Sequence, residues 1–182
     1  HQVLRPEAGP SDRRFWVQVP LGYGILFHQK AVNWMYSSDP VPGLDGRVIY
    51  HPRGKVLGGS GSINALVYHR GQAGDYDDWA AAGNDGWSYA DVMPHFEQLE
   101  TPPQDDPSAP HLSVTDNSAD FHPMGSDFLE ICRQGQLPVC DAPAREGIGI
   151  TPYLTTTRDG QRCSSAKAFL RPAMQRRNLT VV

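Results

Sequence analysis

Hydrophobic and polar positions along this chain fall into order only in short stretches, and those stretches predict short elements. Val3 and Leu4 read as the end of a strand that runs into a loop, Glu7-Ala8-Gly9-Pro10, and the β-branched run Asn178 to Val182 reads as another strand. Residues 15–27 are apolar and broken by glycines, and 32–36 form a short aromatic segment. A helix is expected over 75–82, with Asp75 as its N-cap, Asp78 three residues on, and Gly83 as its stop. The clearest helix spans 88–100: Ser88 caps it, Asp91 stands at the third position, Trp87 can staple onto Val92, and Pro94 predicts a kink or a broken first turn. Phe128, Leu129, Ile131 and Cys132 recur at helical spacing over 126–134, and Ala168, Phe169, Ala173 and Met174 do so over 164–177. Between these lies 101–117, a proline-rich polar loop.

This mixture of strands and helices indicates an α/β or α+β chain, and 182 residues suffice for a sizeable core without metals or disulfides. Sixteen basic against 20 acidic residues give a net charge of −4 with no dominant basic cluster, which argues against nucleic acid as a partner. No apolar run approaches the roughly 18 residues of a transmembrane segment and no leader-like segment opens the chain, so a soluble, cytoplasmic setting is expected. Cys132, Cys140 and Cys163 fit no zinc spacing and read as buried small hydrophobes. A first residue other than Met and a terminal strand suggest an internal segment of a longer protein.

The stretch from Pro52 to Gly71, PRGKVLGGSGSINALVYHRG, concentrates glycine and small polar residues. Such a turn lets backbone N–H groups approach phosphate oxygens, because no Cβ intervenes and positive φ is tolerated. It is not a Walker A loop, since Val56 follows Gly54-Lys55 where Ser or Thr would be needed, nor is it a strict GxGxxG. Glu7, just past a strand, occupies the kind of position from which an acidic residue binds a ribose hydroxyl, with the phosphate fingerprint then lying upstream. A loop carboxylate of this kind is more commonly just solvated. From the residues alone, the reading stops at a nucleotide-type cofactor.

Together, PRGKVLGGSGSIN, YHRG and DYDDWAAAGNDGWSYADVMPHFEQLE resemble the glucose–methanol–choline oxidoreductase family, particularly its choline-dehydrogenase-like branch. VLRPEAG, NWMYSSDP and GQRCSSAKAFLRPAMQRRNLTVV extend the likeness over almost the whole chain. The resemblance implies a partial Rossmann-like FAD-binding domain over 1–100, part of a substrate-binding region over 101–160, and a return to the FAD-binding domain over 161–182. It implies oxidation of a small-molecule alcohol by hydride transfer to flavin N5. By position, Glu7 would take the adenosine ribose. Val56, Gly58, Gly59 and Ser60 would line the turn near the pyrophosphate, and Asn64, Ala65, Leu66 and Val67 would lead toward the flavin ring. Asn64 could also cap a helix beginning at Ala65, a role that can coexist with the first. Where some members carry a His that attaches the flavin covalently, this chain has Ile63, which implies noncovalent FAD.

Two departures stand out: Arg5-Pro6 precedes Glu7 where apolar residues are usual, and Leu154 replaces a common Gln. The family's catalytic base is a His near its C-terminus, beyond this segment, so no residue here is assigned as catalytic and the segment alone is expected to be inactive. His122 superficially matches a His-bearing element, but its context is that of a helix start. His51, His69 and His95 read as surface or structural. The competing reading is a non-catalytic flavin-binding or interaction protein. The family's lyase chemistry is a third possibility.

Overall fold

The computed structural model describes residues 1–120, 122–140 and 147–182. In chain order its elements are strand β1 (Val3–Arg5), helices α1 (Phe15–Gln18) and α2 (Tyr23–Leu26), and strands β2 (Tyr36–Ser37), β3 (Tyr50–His51) and β4 (Val67–Tyr68). Helices α3 (Ala73–Ala81), α4 (Tyr89–Glu100) and α5 (Pro123–Gln134) follow. Strands β5 (Leu154–Thr155), β6 (Thr157–Arg158) and β7 (Gln161–Arg162), helix α6 (Arg171–Ala173) and strand β8 (Leu179–Val181) complete the series. The fold is of the α/β class, and no helix is long and apolar enough to cross a membrane among the described residues.

The chain divides into two compact units, His1–Leu66 with Thr156–Val182, and Val67–Thr155. The first division falls after Leu66. Its cause is pairing: β4 leaves the glycine-rich stretch and runs antiparallel to β5, with Val67 opposite Thr155 and Tyr68 opposite Leu154, so the segment after Leu66 is tied to the 150s.

In the first unit β1 and β8 pair in parallel, Val3 opposite Leu179 and Arg5 opposite Val181. Pro6 does not disturb this ladder. Val182 N–H donates to Arg5 O at 3.1 Å and Glu7 N–H donates to Val182 O at 2.7 Å, so the proline falls at an alternate position whose N–H the ladder does not use. Val17, Leu26, Val32, Val56 and Ile63 form the core cluster. Asn33 is buried and uses its amide fully: Nδ2 donates to Phe27 O at 2.9 Å, while Oδ1 accepts from Met35 N at 2.9 Å and Arg53 N at 3.0 Å. That amide clamps the NWMY segment to the entry of the glycine-rich stretch. Asp12, also buried, meets Arg171 of α6 at 2.9 Å.

The helix expected over 164–177 is instead a π turn, Ala166–Leu170, followed by the single turn α6, with Pro172 inside it. Cys132 and Cys163 are buried, Cys140 is half-buried, and all three are free thiols.

In the second unit α4 starts as its sequence dictates. Ser88 Oγ accepts from Asp91 N at 3.3 Å and Asp91 Oδ2 accepts from Ser88 N at 3.2 Å, a reciprocal capping box. The helix runs unbroken through Pro94. Helix α3 begins two residues before its expected start: Gln72 is the N-cap and Asp75 is the third helical residue, its carboxylate accepting from Gln72 N at 2.8 Å. Trp87 packs edge-on against Trp79 of α3, with ring centroids 5.7 Å apart. Beyond these helices, Glu100 accepts from Tyr68 and Arg70, joining the end of α4 to β4. Burial raises the Glu100 carboxyl above its ordinary value.

Candidate functional site

The turn after β1 and the glycine-rich run meet within the first unit. Leu57 N–H donates to Pro10 O at 3.0 Å, and a Cβ added to Gly9 would stand 1.9 Å from Lys55 O. Only glycine permits that approach. Glu7, half-buried, turns its carboxylate back on this turn, where Oε1 accepts from Gly9 N at 2.9 Å; Oε2 accepts no hydrogen bond among the described residues.

The glycines of 54–61 serve two different ends. Gly54 and Gly58 pack inward: a Cβ on Gly54 would lie 2.2 Å from the Gly59 carbonyl, and one on Gly58 would lie 2.5 Å from Ser62 Oγ and 2.8 Å from Ala166 Cβ. Gly59 and Gly61 face open space, with nothing within 4 Å of a Cβ on Gly59 and nothing nearer than 3.9 Å at Gly61. Gly58 and Gly59 both hold positive φ, +91° and +59°, which makes the turn tight. Ser60 is exposed and its Oγ accepts from Gly54 N at 3.1 Å, closing the turn on itself.

Asn64 does not cap a helix. Its Oδ1 accepts from Leu66 N at 3.1 Å, forming a local side-chain turn, and Leu66 sits at φ +65°, after which the chain enters β4. The same Oδ1 accepts from Arg162 Nη1 at 2.7 Å. Asn64 is exposed, and its Nδ2 donates to nothing among the described residues. Of the other positions, Val56 and Leu66 turn their side chains into the core, which leaves their backbone as the part on offer, while Ala65 is exposed. Val67 is exposed and opens the second unit. Ile63 is buried in the core cluster.

The histidines take no part in this arrangement. His122 caps α5, its Nδ1 accepting from Met124 N at 3.2 Å, and His69 Nδ1 accepts from Gly71 N at 2.8 Å. Arg162, by contrast, reaches the loop and was not singled out from the sequence. Fully buried, it donates from Nε to Val17 O at 2.9 Å and from Nη1 to Gly61 O at 3.3 Å besides Asn64. Burial pushes its guanidinium down to about 10, so it remains charged at neutral pH.

The model of the GMC oxidoreductase family matches residues 21–182. The chain belongs to this family. The GMC region it matches is the FAD-binding N-terminal part. The oxygen-dependent choline dehydrogenase of Photobacterium profundum is 36% identical over 189 residues, covering 100% of this chain and 33% of that protein. Among solved structures, pyridoxine 4-oxidase from Mesorbium loti matches 100% of this chain and 37% of its own at a TM-score of 0.85 and 28% identity. An FAD-dependent oxidoreductase from Chaetomium thermophilum matches 100% of this chain and 34% of its own at a TM-score of 0.81 and 27% identity. The chain thus spans about a third of the length of the curated relatives it matches.

Proposed function

We propose that this chain is the cofactor-loop portion of an oxidoreductase that uses noncovalent FAD to oxidise the CH–OH group of a small alcohol. The observation that carries the reading is the junction of the Glu7 turn with the glycine-rich run, Gly9 against Lys55 and Leu57 bonded to Pro10, in one compact unit. It unites a carboxylate with an uncommitted oxygen, an exposed amide with an uncommitted Nδ2, and a turn whose Gly59 and Gly61 carry no side chain toward solvent. These donors and acceptors fit a dinucleotide.

When bound, FAD supplies the hydride acceptor at its ring nitrogen N5. Glu7 accepts hydrogen bonds from ribose hydroxyls through Oε2 while Oε1 keeps its own turn in place. The backbone of Val56, Gly58 and Gly59 and the Ser60 hydroxyl serve the pyrophosphate, where a Cβ on Gly59 would obstruct approach. Asn64 Nδ2 would donate to an acceptor oxygen of the cofactor, and Ala65, Leu66 and Val67 would continue the backbone wall of its site. With Ile63 buried and no His in its place, this loop has no nucleophile for a covalent flavin link at that position.

The full-length protein tests the reading. It is expected to purify yellow, to release its flavin into the supernatant on acid precipitation, and to bleach when mixed anaerobically with choline or another primary alcohol. A colourless protein that FAD does not reconstitute would overturn it, and flavin that stays with the precipitate would overturn the noncovalent link.

A further inference from the structure

Asn64 Oδ1 accepts two hydrogen bonds, from Arg162 Nη1 at 2.7 Å and from Leu66 N at 3.1 Å. An amide's oxygen and nitrogen are usually told apart only by their surroundings, and here the surroundings are a cation. Flipping the amide would set its NH2 against a guanidinium N–H and against a backbone N–H, two donor–donor contacts. Arg162 therefore holds the Nδ2 on the exposed side. The guanidinium is itself anchored far from Asn64 in sequence at Val17 O, by 2.9 Å, and within the same loop at Gly61 O, by 3.3 Å. It is delivered by the β6–β7 hairpin, whose turn residues Asp159 and Gly160 both hold positive φ, +52° and +70°. Beyond Asn64, the Leu66 peptide is gripped on its other side by Thr156, whose N–H donates to Leu66 O at 2.9 Å. Nη2 of Arg162 is buried without a partner among the described residues, so this cation is kept in the core at a cost that its packing alone does not explain.

We propose that Arg162 is a positioning residue for the cofactor: it fixes the Asn64 amide so that Nδ2 is presented outward as a donor, and it braces the left-handed turn at Leu66. This rests on the reading that residues 56–67 face FAD. A neutral side chain at 162 removes the stronger of the two contacts that orient the amide and leaves only the Leu66 N–H to hold it, so the outward donor is less firmly fixed.

The test uses the full-length flavoprotein, with FAD affinity, the visible flavin spectrum and the flavin reduction potential as readouts. R162M is expected to weaken FAD binding about tenfold, the scale of one charge-assisted hydrogen bond, and to shift the spectrum and potential of the flavin that remains bound. R162K, which keeps the charge but lacks a fork that serves Asn64 and Val17 together, should give an intermediate shift and keeps the test open if R162M fails to accumulate. N64A should move the same readouts, and R162K on an N64A background should add little to the spectral shift. The proposal is overturned if R162K, or an R162M protein that folds, loses thermal stability while its bound flavin keeps the parental spectrum and potential and N64A changes both. If neither N64A nor the Arg162 variants touch FAD affinity, spectrum or potential, the FAD-facing assignment of the loop fails, and this inference falls with it.

Discussion

In the first unit Val17, Leu26, Val32, Val56 and Ile63 are sealed from solvent and Arg162 is bonded to two separate segments, at Val17 and at the loop residues Gly61 and Asn64; among the described residues of 67–155 only Cys132 is buried. The second unit instead rests on helix caps, on half-exposed aromatic pairs such as Trp79 with Trp87, and on the Tyr68–Glu100–Arg70 cluster. Where the proposed cofactor loop would have to hold its ligand to within fractions of an ångström, backbone and side chains are pinned by long-range contacts. Where local signals suffice, the chain relies on them. The contrast predicts that equal chemical insults will have unequal consequences.

The largest difference should come from the core. Ile63→Ala removes a buried side chain beneath the glycine-rich turn and is expected to cost about 4 kcal/mol, whereas Ile131→Ala, on the exposed side of α5, should cost under about 1 kcal/mol. Chemical denaturation of the full-length protein checks both, and similar costs would abolish the contrast. Next comes Gly54→Ala, whose Cβ would meet the Gly59 carbonyl at 2.2 Å. It should destabilise by about 3 kcal/mol and lower FAD occupancy. Gly61→Ala, with nothing nearer than 3.9 Å, should leave the fold intact, so any loss of flavin in that variant reports on ligand approach alone.

How far the sequence disclosed all this depends on the range of each interaction. The capping box of Ser88 and Asp91 and the terminal strand at Leu179 were legible because their partners are three residues away or their own β-branched run declares them. Glu7 and the glycine-rich run stood out in the sequence through their residue types, but that their turns meet, Gly9 against Lys55, did not. The division of labour among the glycines was not legible, since Gly54 meets Gly59 and Gly58 meets Ala166 only once the chain has folded. Arg162 was hidden for the same reason: the groups it joins, Val17, Gly61 and Asn64, lie about a hundred residues or more before it. Helix α4 continues through Pro94 because a proline there removes a single N–H from a helix whose start is doubly capped. Asn64 chose a turn over a helix because Leu66 adopts positive φ and β4 takes up the chain.

The second unit's own polar cluster should yield a smaller, pH-dependent effect. Arg70→Met leaves Glu100 with Tyr68 alone and should cost about 2 kcal/mol at neutral pH, moderated because Arg70 is a third exposed, at 34%. The Glu100 carboxyl already titrates above its ordinary value through burial, so the folded state binds its proton more tightly than the unfolded state. Stability from that proton is present in acid and lost as pH rises through the folded-state value. The Arg70→Met deficit should therefore shrink on acidification from neutral pH. A deficit that stays the same across that range would show that Arg70 acts through packing and not through the carboxylate.

Smallest of all should be Ser88→Ala, which deletes one half of the α4 capping box. Losing an N-cap of this kind costs about 1 kcal/mol. Its reach should be short, because Ser88 Oγ serves only Asp91, and the other end of α4 is held independently by Glu100 with Arg70 and Tyr68. Hydrogen exchange should speed up at the first turn of α4, around Tyr89 to Val92, with exchange in 54–66 and FAD affinity unchanged. Ser88→Asp, which restores an acceptor next to the same amides, should recover most of the protection. If Ser88→Ala instead releases flavin as Gly54→Ala does, the two units are energetically one, and the pinning of the cofactor loop by Arg162 and the core would not be self-contained.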